Sequence, residues 1–159
     1  MTDQPIDRQI DPSSQQPISI VLVEDNHADA ELTIRALRHG RIGNHIQLLQ
    51  DGAEALDFIF CQGNYAHRSI TNQPKVILLD LKLPKVSGLE VLRQLKSDPR
   101  TQMIPVVVLT SSAEDRDMIE SYNIGVNSYI VKPVDFEQFN QVIQQLGFYW
   151  LLFNQLPVF

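Results

Sequence analysis

Four of the short apolar runs in this 159-residue chain stop at a residue able to do chemistry: Glu24-Asp25 after the first, Asp80 after the third, Thr110 after the fourth and Lys132-Pro133 after the fifth. Taken singly, each has an ordinary explanation: acids after a strand cap the next helix, a hydroxyl forms a local turn, and a lysine is a solvated charge. Their conjunction is more informative. Three carboxylates brought within ~4 Å repel by about 4 kcal/mol per pair at an effective dielectric of 20, so such clustering calls for a cation. Oxygen-only donors suit a hard ion, and Mg²⁺ binds through one or two carboxylates while leaving room for a phosphate. The His and Cys ligands typical of zinc are missing from this set, and His27, just past the acidic pair, reads as a first-turn helix residue. The expected ligands are Asp25, Asp80 and one backbone carbonyl, that of Lys82, with Glu24 beside them. A carboxylate near its ordinary pKa of about 3.9 is ionised at neutral pH and can attack phosphorus. Mg²⁺ would then meet one phosphoryl oxygen, the Lys132 ammonium a second, and the Thr110 hydroxyl with backbone N–H groups the third.

These residues need a scaffold that brings distant parts of the chain to one edge. The apolar runs cover residues 18–23, 45–49, 76–79, 104–109 and 128–131. Four are almost continuously apolar, as in strands buried on both faces of a parallel sheet. Between them lie helix starts in which a capping residue precedes an acidic or amide side chain by three positions: Asn26 and Asp29, Asp51 and Glu54, Ser87 and Glu90, Ser112 and Asp115, Asp135 and Gln138. Apolar faces follow, such as Ala30, Ile34 and Leu37, or Leu89, Leu92 and Leu95. Strict alternation of strand and helix implies right-handed crossovers and a doubly wound α/β domain with a five-stranded parallel sheet. The flavodoxin-like order 2-1-3-4-5 is expected by analogy with other such sheets, whose ligands sit beyond the carboxyl ends of the strands. Residues 62–74 make a longer connection than a tight turn requires.

Composition sets the outer bounds. With 43% hydrophobic and 20% charged residues, the chain has the make-up of one globular domain. A net charge of -6 argues against a surface built to neutralise nucleic-acid phosphates. The lone Cys61 cannot form an internal disulfide, and the start of the chain does not resemble a secretion signal, so a cytoplasmic home is expected. No apolar run reaches the roughly 18 residues needed to span a membrane. Residues 1–16 read as a disordered leader, 17–147 as the domain, and 148–159 as an apolar extension. The aromatic density of that extension favours an interface, most simply a symmetric homodimer.

Over about residues 18–147 the pattern resembles the receiver domains of response regulators in two-component signalling. The residues that carry the resemblance are Glu24-Asp25, the stretch Leu79-Asp80-Leu81-Lys82-Leu83-Pro84 with Gly88, Thr110, and Lys132-Pro133. The resemblance implies that the acidic pair holds the metal, that Asp80 receives a phosphoryl group from a histidine kinase, and that Thr110 and Lys132 bind or sense it. It also implies a cis bond before Pro133, a switch role for Tyr129, and a signalling and dimer surface on the fourth helix, fifth strand, fifth helix and tail. The aromatic-Trp-Leu tail and the Gly63-Asn64-Tyr65 segment look like single-domain regulators paired with cyanobacterial phytochrome kinases. An aspartyl phosphatase on a related fold would need its nucleophile after the first strand and a second Asp two positions on; Glu24-Asp25-Asn26 lacks that spacing. A binding module that has lost phosphorylation would commonly lack an acid or the lysine, and all are present.

Overall fold

The structure is a computed structural model that describes residues 18–39, 45–132, 135–150 and 155. Its elements alternate along the chain: β1 (Ile20–Val23), α1 (His27–His39), β2 (Ile46–Leu49), α2 (Gly52–Ile59), a single helical turn (Gly63–Tyr65), β3 (Val76–Leu79), α3 (Gly88–Ser97), β4 (Val106–Thr110), α4 (Asp115–Ile124), β5 (Ser128–Val131) and α5 (Phe136–Phe148). All strand pairs are parallel, and the sheet order is β2-β1-β3-β4-β5. The expected doubly wound fold is therefore the observed one.

Side chains alternate across the inner strands, so each strand feeds two cores. One core joins Val21, Val23, Ile77, Leu79, Val106 and Val108 to Phe58 and Ile59 of α2 and Leu92 and Leu95 of α3. The opposite core joins Ile20, Leu22, Leu78, Val107 and Leu109 to Ile34 and Leu37 of α1 and Phe139 and Ile143 of α5. β1, β3 and β4 are buried throughout, which explains why their sequences read as continuous apolar runs. β5, on the sheet edge, is only half covered.

Four of the five expected caps form. Asn26, Asp51, Ser87 and Asp135 each accept a backbone N–H from the first turn of the following helix. Ser112 does not cap α4. That helix begins at Asp115 after Glu114, which makes no side-chain cap bond, while the Ser112 hydroxyl donates to the Asp117 carboxylate at 2.7 Å. The cap-to-acid spacing is present in the sequence, but the Ser112 hydroxyl is committed to Asp117 and its backbone to Thr110 and Tyr129, so it does not serve the first turn of α4.

Two of the sequence expectations fall on the chain's end. α5 runs through Phe148, and Trp150 is buried against the α1/α5 core, so domain packing continues past residue 147. Tyr149 is exposed and stacks edge-on against Trp150. The rest of the apolar extension apart from Gln155, the leader 1–16 and the bond before Pro133 lie outside the described residues. Among the described residues, no helix is long and apolar enough to cross a membrane.

The connection at 62–74 closes the end of α2. A helix leaves its last carbonyls without internal partners. Here Arg68 donates to the Phe58 carbonyl and, at 2.6 Å, to that of Asn72, while Gln73 donates to the Ile59 carbonyl at 2.9 Å. The Arg68 guanidinium lies over the Phe58 ring at 3.7 Å, and Tyr65 meets the same ring edge-on at 5.0 Å. Tyr65 then donates its hydroxyl to Glu54 at 2.8 Å, tying the loop to the start of α2.

Candidate functional site

The carboxyl ends of β1, β3 and β5 place Glu24, Asp80 and Lys132 around one point. The Lys132 ammonium donates to Glu24 Oε2 at 2.7 Å, to Asp29 Oδ2 at 3.0 Å and to Asp80 Oδ2 at 3.1 Å. The lysine side chain is only 8% exposed, so its position is fixed by these three acceptors. Carboxylate oxygens of Glu24, Asp25 and Asp80 lie within 4.8 Å of one another, with Asp25 exposed at the mouth. Asp80 is locked from the other side by the Leu81 N–H, which donates to its Oδ1 at 2.7 Å. Glu24 is likewise held by the Asn26 N–H at 3.0 Å.

The electrostatics follow from this sharing of one cation. Burial pushes the Glu24 carboxyl up to about 7; the Lys132 hydrogen bond opposes that rise and the Asp80 charge adds to it. Burial alone would lower the Lys132 amine, but its hydrogen bonds to Glu24 and Asp29 and the Asp80 charge outweigh it and hold the amine above its usual value. Burial is the main reason that Glu24 is raised, and the neighbouring Asp80 charge adds to it. A hard divalent ion fits this donor set: clustered carboxylate oxygens, one of them raised by burial beside a second anion.

The turn after Asp80 is tightly constrained. Gly88 donates its N–H to the Leu81 carbonyl at 2.9 Å, and a side chain on Gly88 would run into the Asp80 carbonyl oxygen. The start of α3 therefore packs directly on the backbone of Asp80 and Leu81. Lys82 sits within that turn with its side chain exposed.

Thr110, at the end of β4, is fully buried, and its Oγ1 accepts the Ser112 N–H at 3.3 Å. Half-buried Tyr129 donates its hydroxyl to the Ser112 carbonyl at 2.9 Å, and burial pushes its phenol above the ordinary value. Ser112 thus touches Thr110, Tyr129 and, through Asp117, α4. Its role in linking them, and that of Asp29 beside Lys132, were not read from the sequence. The sequence marks Asp29 only as a helix-start acid; its place in the first turn of α1, four residues past Asp25, is the available signal. His27 is the exposed first residue of α1, as expected.

The family profile described as the response regulator receiver domain matches residues 20–144. The chain belongs to the response regulator receiver family. Among similar proteins, Rcp1 of Synechocystis is 39% identical over 91% of this chain and 96% of its own length. A protein described as a probable methanogenesis regulatory protein, FilR2 of Methanothrix harundinacea, is 42% identical over 91% of this chain and 90% of its own. The crystal structure of phosphorylated RcpA, a cyanobacterial phytochrome response regulator, superimposes with a TM-score of 0.82 at 40% identity, covering 90% of this chain and all, 100%, of that one. The Mn²⁺-bound form of Rcp1 gives a TM-score of 0.81 at 39% identity over 89% of this chain and 100% of that one. This receiver is accordingly a two-component response regulator, a signalling phosphoacceptor and not a classical enzyme, with a histidine kinase as its source of phosphoryl groups. Receiver domains bind a divalent metal at an acidic pocket, and Glu24, Asp25 and Asp80 form an acidic cluster here that could hold one.

Proposed function

We propose that Asp80 is the residue that accepts the phosphoryl group. The carrying observation is that the buried Lys132 ammonium gathers Asp80 and Glu24 from chain segments 52 and 108 residues away. An Asp80 oxygen forms the new P–O bond as the P–N bond of a donor phosphohistidine breaks, and the released imidazole takes up a proton. Lys132 pairs with one phosphoryl oxygen, and the Thr110 hydroxyl turns toward another. Mg²⁺, held by Asp25, Asp80 and the Lys82 carbonyl beside Glu24, would neutralise charge between the carboxylates and the phosphoryl group.

Loss of the Thr110 hydroxyl from the Ser112 N–H would release the segment before α4 and let Tyr129 reorient, changing the surface of α4, β5 and α5. Ile119, Tyr122 and Val131 on those elements, and Tyr149 just after α5, are exposed apolar or aromatic side chains, which supports a protein interface there, formed by a second copy of the chain. In this reading the kinase is phytochrome-type, as RcpA is a phytochrome response regulator, and the protein works in the cytoplasm, with residues 17–147 as the receiver unit, residues 1–16 before it, and residues 148–159 after it with Trp150 packed on its core.

Intact mass measurement after incubation with Mg²⁺ and acetyl phosphate tests the acceptor. The wild type gains one phosphoryl mass and Asp80→Asn does not. An unchanged wild-type mass, or the same gain in the variant, removes Asp80 from this role.

A further inference from the structure

We infer that Asp29 is a positioning residue that competes with the phosphoryl group for Lys132 and so sets how readily the phosphorylated state forms. The inference rests on the phosphoacceptor reading above. A lysine ammonium has three N–H donors and no acceptor, and all three are already committed: to Glu24, Asp29 and Asp80. Lys132 must therefore release one partner before it can donate to a phosphoryl oxygen.

The three partners are not equally easy to leave. Glu24 is 3% exposed and also holds the Asn26 N–H, so abandoning it strands a buried carboxylate. Asp80 is 8% exposed and lies where the new group is added, so Lys132 must stay near it. Asp29 is 37% exposed, and water can solvate its carboxylate as the lysine leaves. Its main chain stays in place regardless: its N–H donates to Asn26 Oδ1 at 3.0 Å and its carbonyl accepts the Thr33 hydroxyl at 2.9 Å. Asp29 is thus a fixed, solvent-side post for Lys132 in the unphosphorylated state. Its negative charge also opposes the arrival of another anion beside the same ammonium.

Removing the charge should favour the phosphoryl-bound state. The readout is the affinity for beryllium trifluoride, an anion that mimics the phosphoryl group on a carboxylate, measured by calorimetry with saturating Mg²⁺. Asp29→Asn and Asp29→Ala are expected to bind it about three- to tenfold more tightly than wild type, and Asp29→Glu, which restores the charge, to stay within about twofold of wild type. An acid that serves only the start of α1 would shift the unfolding midpoint and leave this affinity unchanged. That result, weaker binding in both neutral variants, or equal tightening in Asp29→Glu, overturns the proposal. Absence of any beryllium trifluoride binding by the wild type would instead overturn the phosphoacceptor reading itself.

Discussion

Glu24 is the side chain in which the cost of this site is most visible. It is nearly sealed from water, shares a single ammonium with two other acids, and has its carboxyl pushed up to about 7. Two pH effects of opposite sense follow. In the metal-free protein, the folded state holds a proton on Glu24 that the unfolded chain, with its ordinary value of 4.5, gives up. The folded state thus binds more protons in that window. The contribution of Glu24 to stability is full below about 4.5 and is lost as pH rises through about 7. Metal binding requires the ionised carboxylate, so Mg²⁺ affinity should fall by about tenfold between about pH 8 and about pH 6. Calorimetric titration checks this: an affinity that does not change over that range, or an equal change in Glu24→Gln, would show that another group controls it.

At the scale of elements, the long connection before β3 acts as a lid on the end of α2. Its Arg68 donates to the Phe58 carbonyl at the end of α2 and to the loop carbonyl of Asn72, and covers the ring of Phe58, which is fully buried. Arg68→Ala should lower unfolding free energy by about 1–3 kcal/mol through loss of those bonds and that contact. Urea denaturation measures it, and a change below about 0.5 kcal/mol would mean that water and Gln73 suffice as replacements. α4 is at the other extreme. Ser121 is its only fully covered side chain among the described residues, its Glu114 cap makes no side-chain bond, and its lateral tie to α3 is the exposed Arg93–Glu120 pair at 2.9 Å. An exposed pair of that kind contributes about 0.2–1 kcal/mol. In the proposed switch, a lightly anchored helix next to Ser112 is suited to shift with Thr110 and Tyr129.

At the scale of the whole molecule, four of the five large apolar side chains exposed among the described residues lie on α4, on β5 or just after α5, with Ile119 61% and Tyr122 52% exposed. Covering them with a second copy would remove that surface from water, and a charge placed there would oppose the association. Light scattering should therefore give a dimer mass for the wild type, with a shift toward monomer in Ile119→Glu. Identical monomer masses for the two proteins would exclude this face as a dimer surface. Trp150 does not belong to that patch, since it is buried on the α1/α5 core beside Ile143.

The order of elements, the two-sided burial of the inner strands and the arrival of Glu24, Asp25, Asp80, Thr110 and Lys132 at one edge were all legible in the sequence. They depend on local pattern: runs of apolar residues, capping residues at fixed offsets, and alternation of strand with helix. Tertiary structure alone decided that Asp29 would share Lys132, a pairing across 103 residues. It also decided that Ser112 would meet Tyr129 instead of capping α4, that Arg68 would close α2, and that Trp150 would turn inward. Each is a hydrogen bond or packing contact whose partner lies elsewhere in the chain. Its occurrence depends on angles and distances between packed elements, and the spacing of residue types does not encode those.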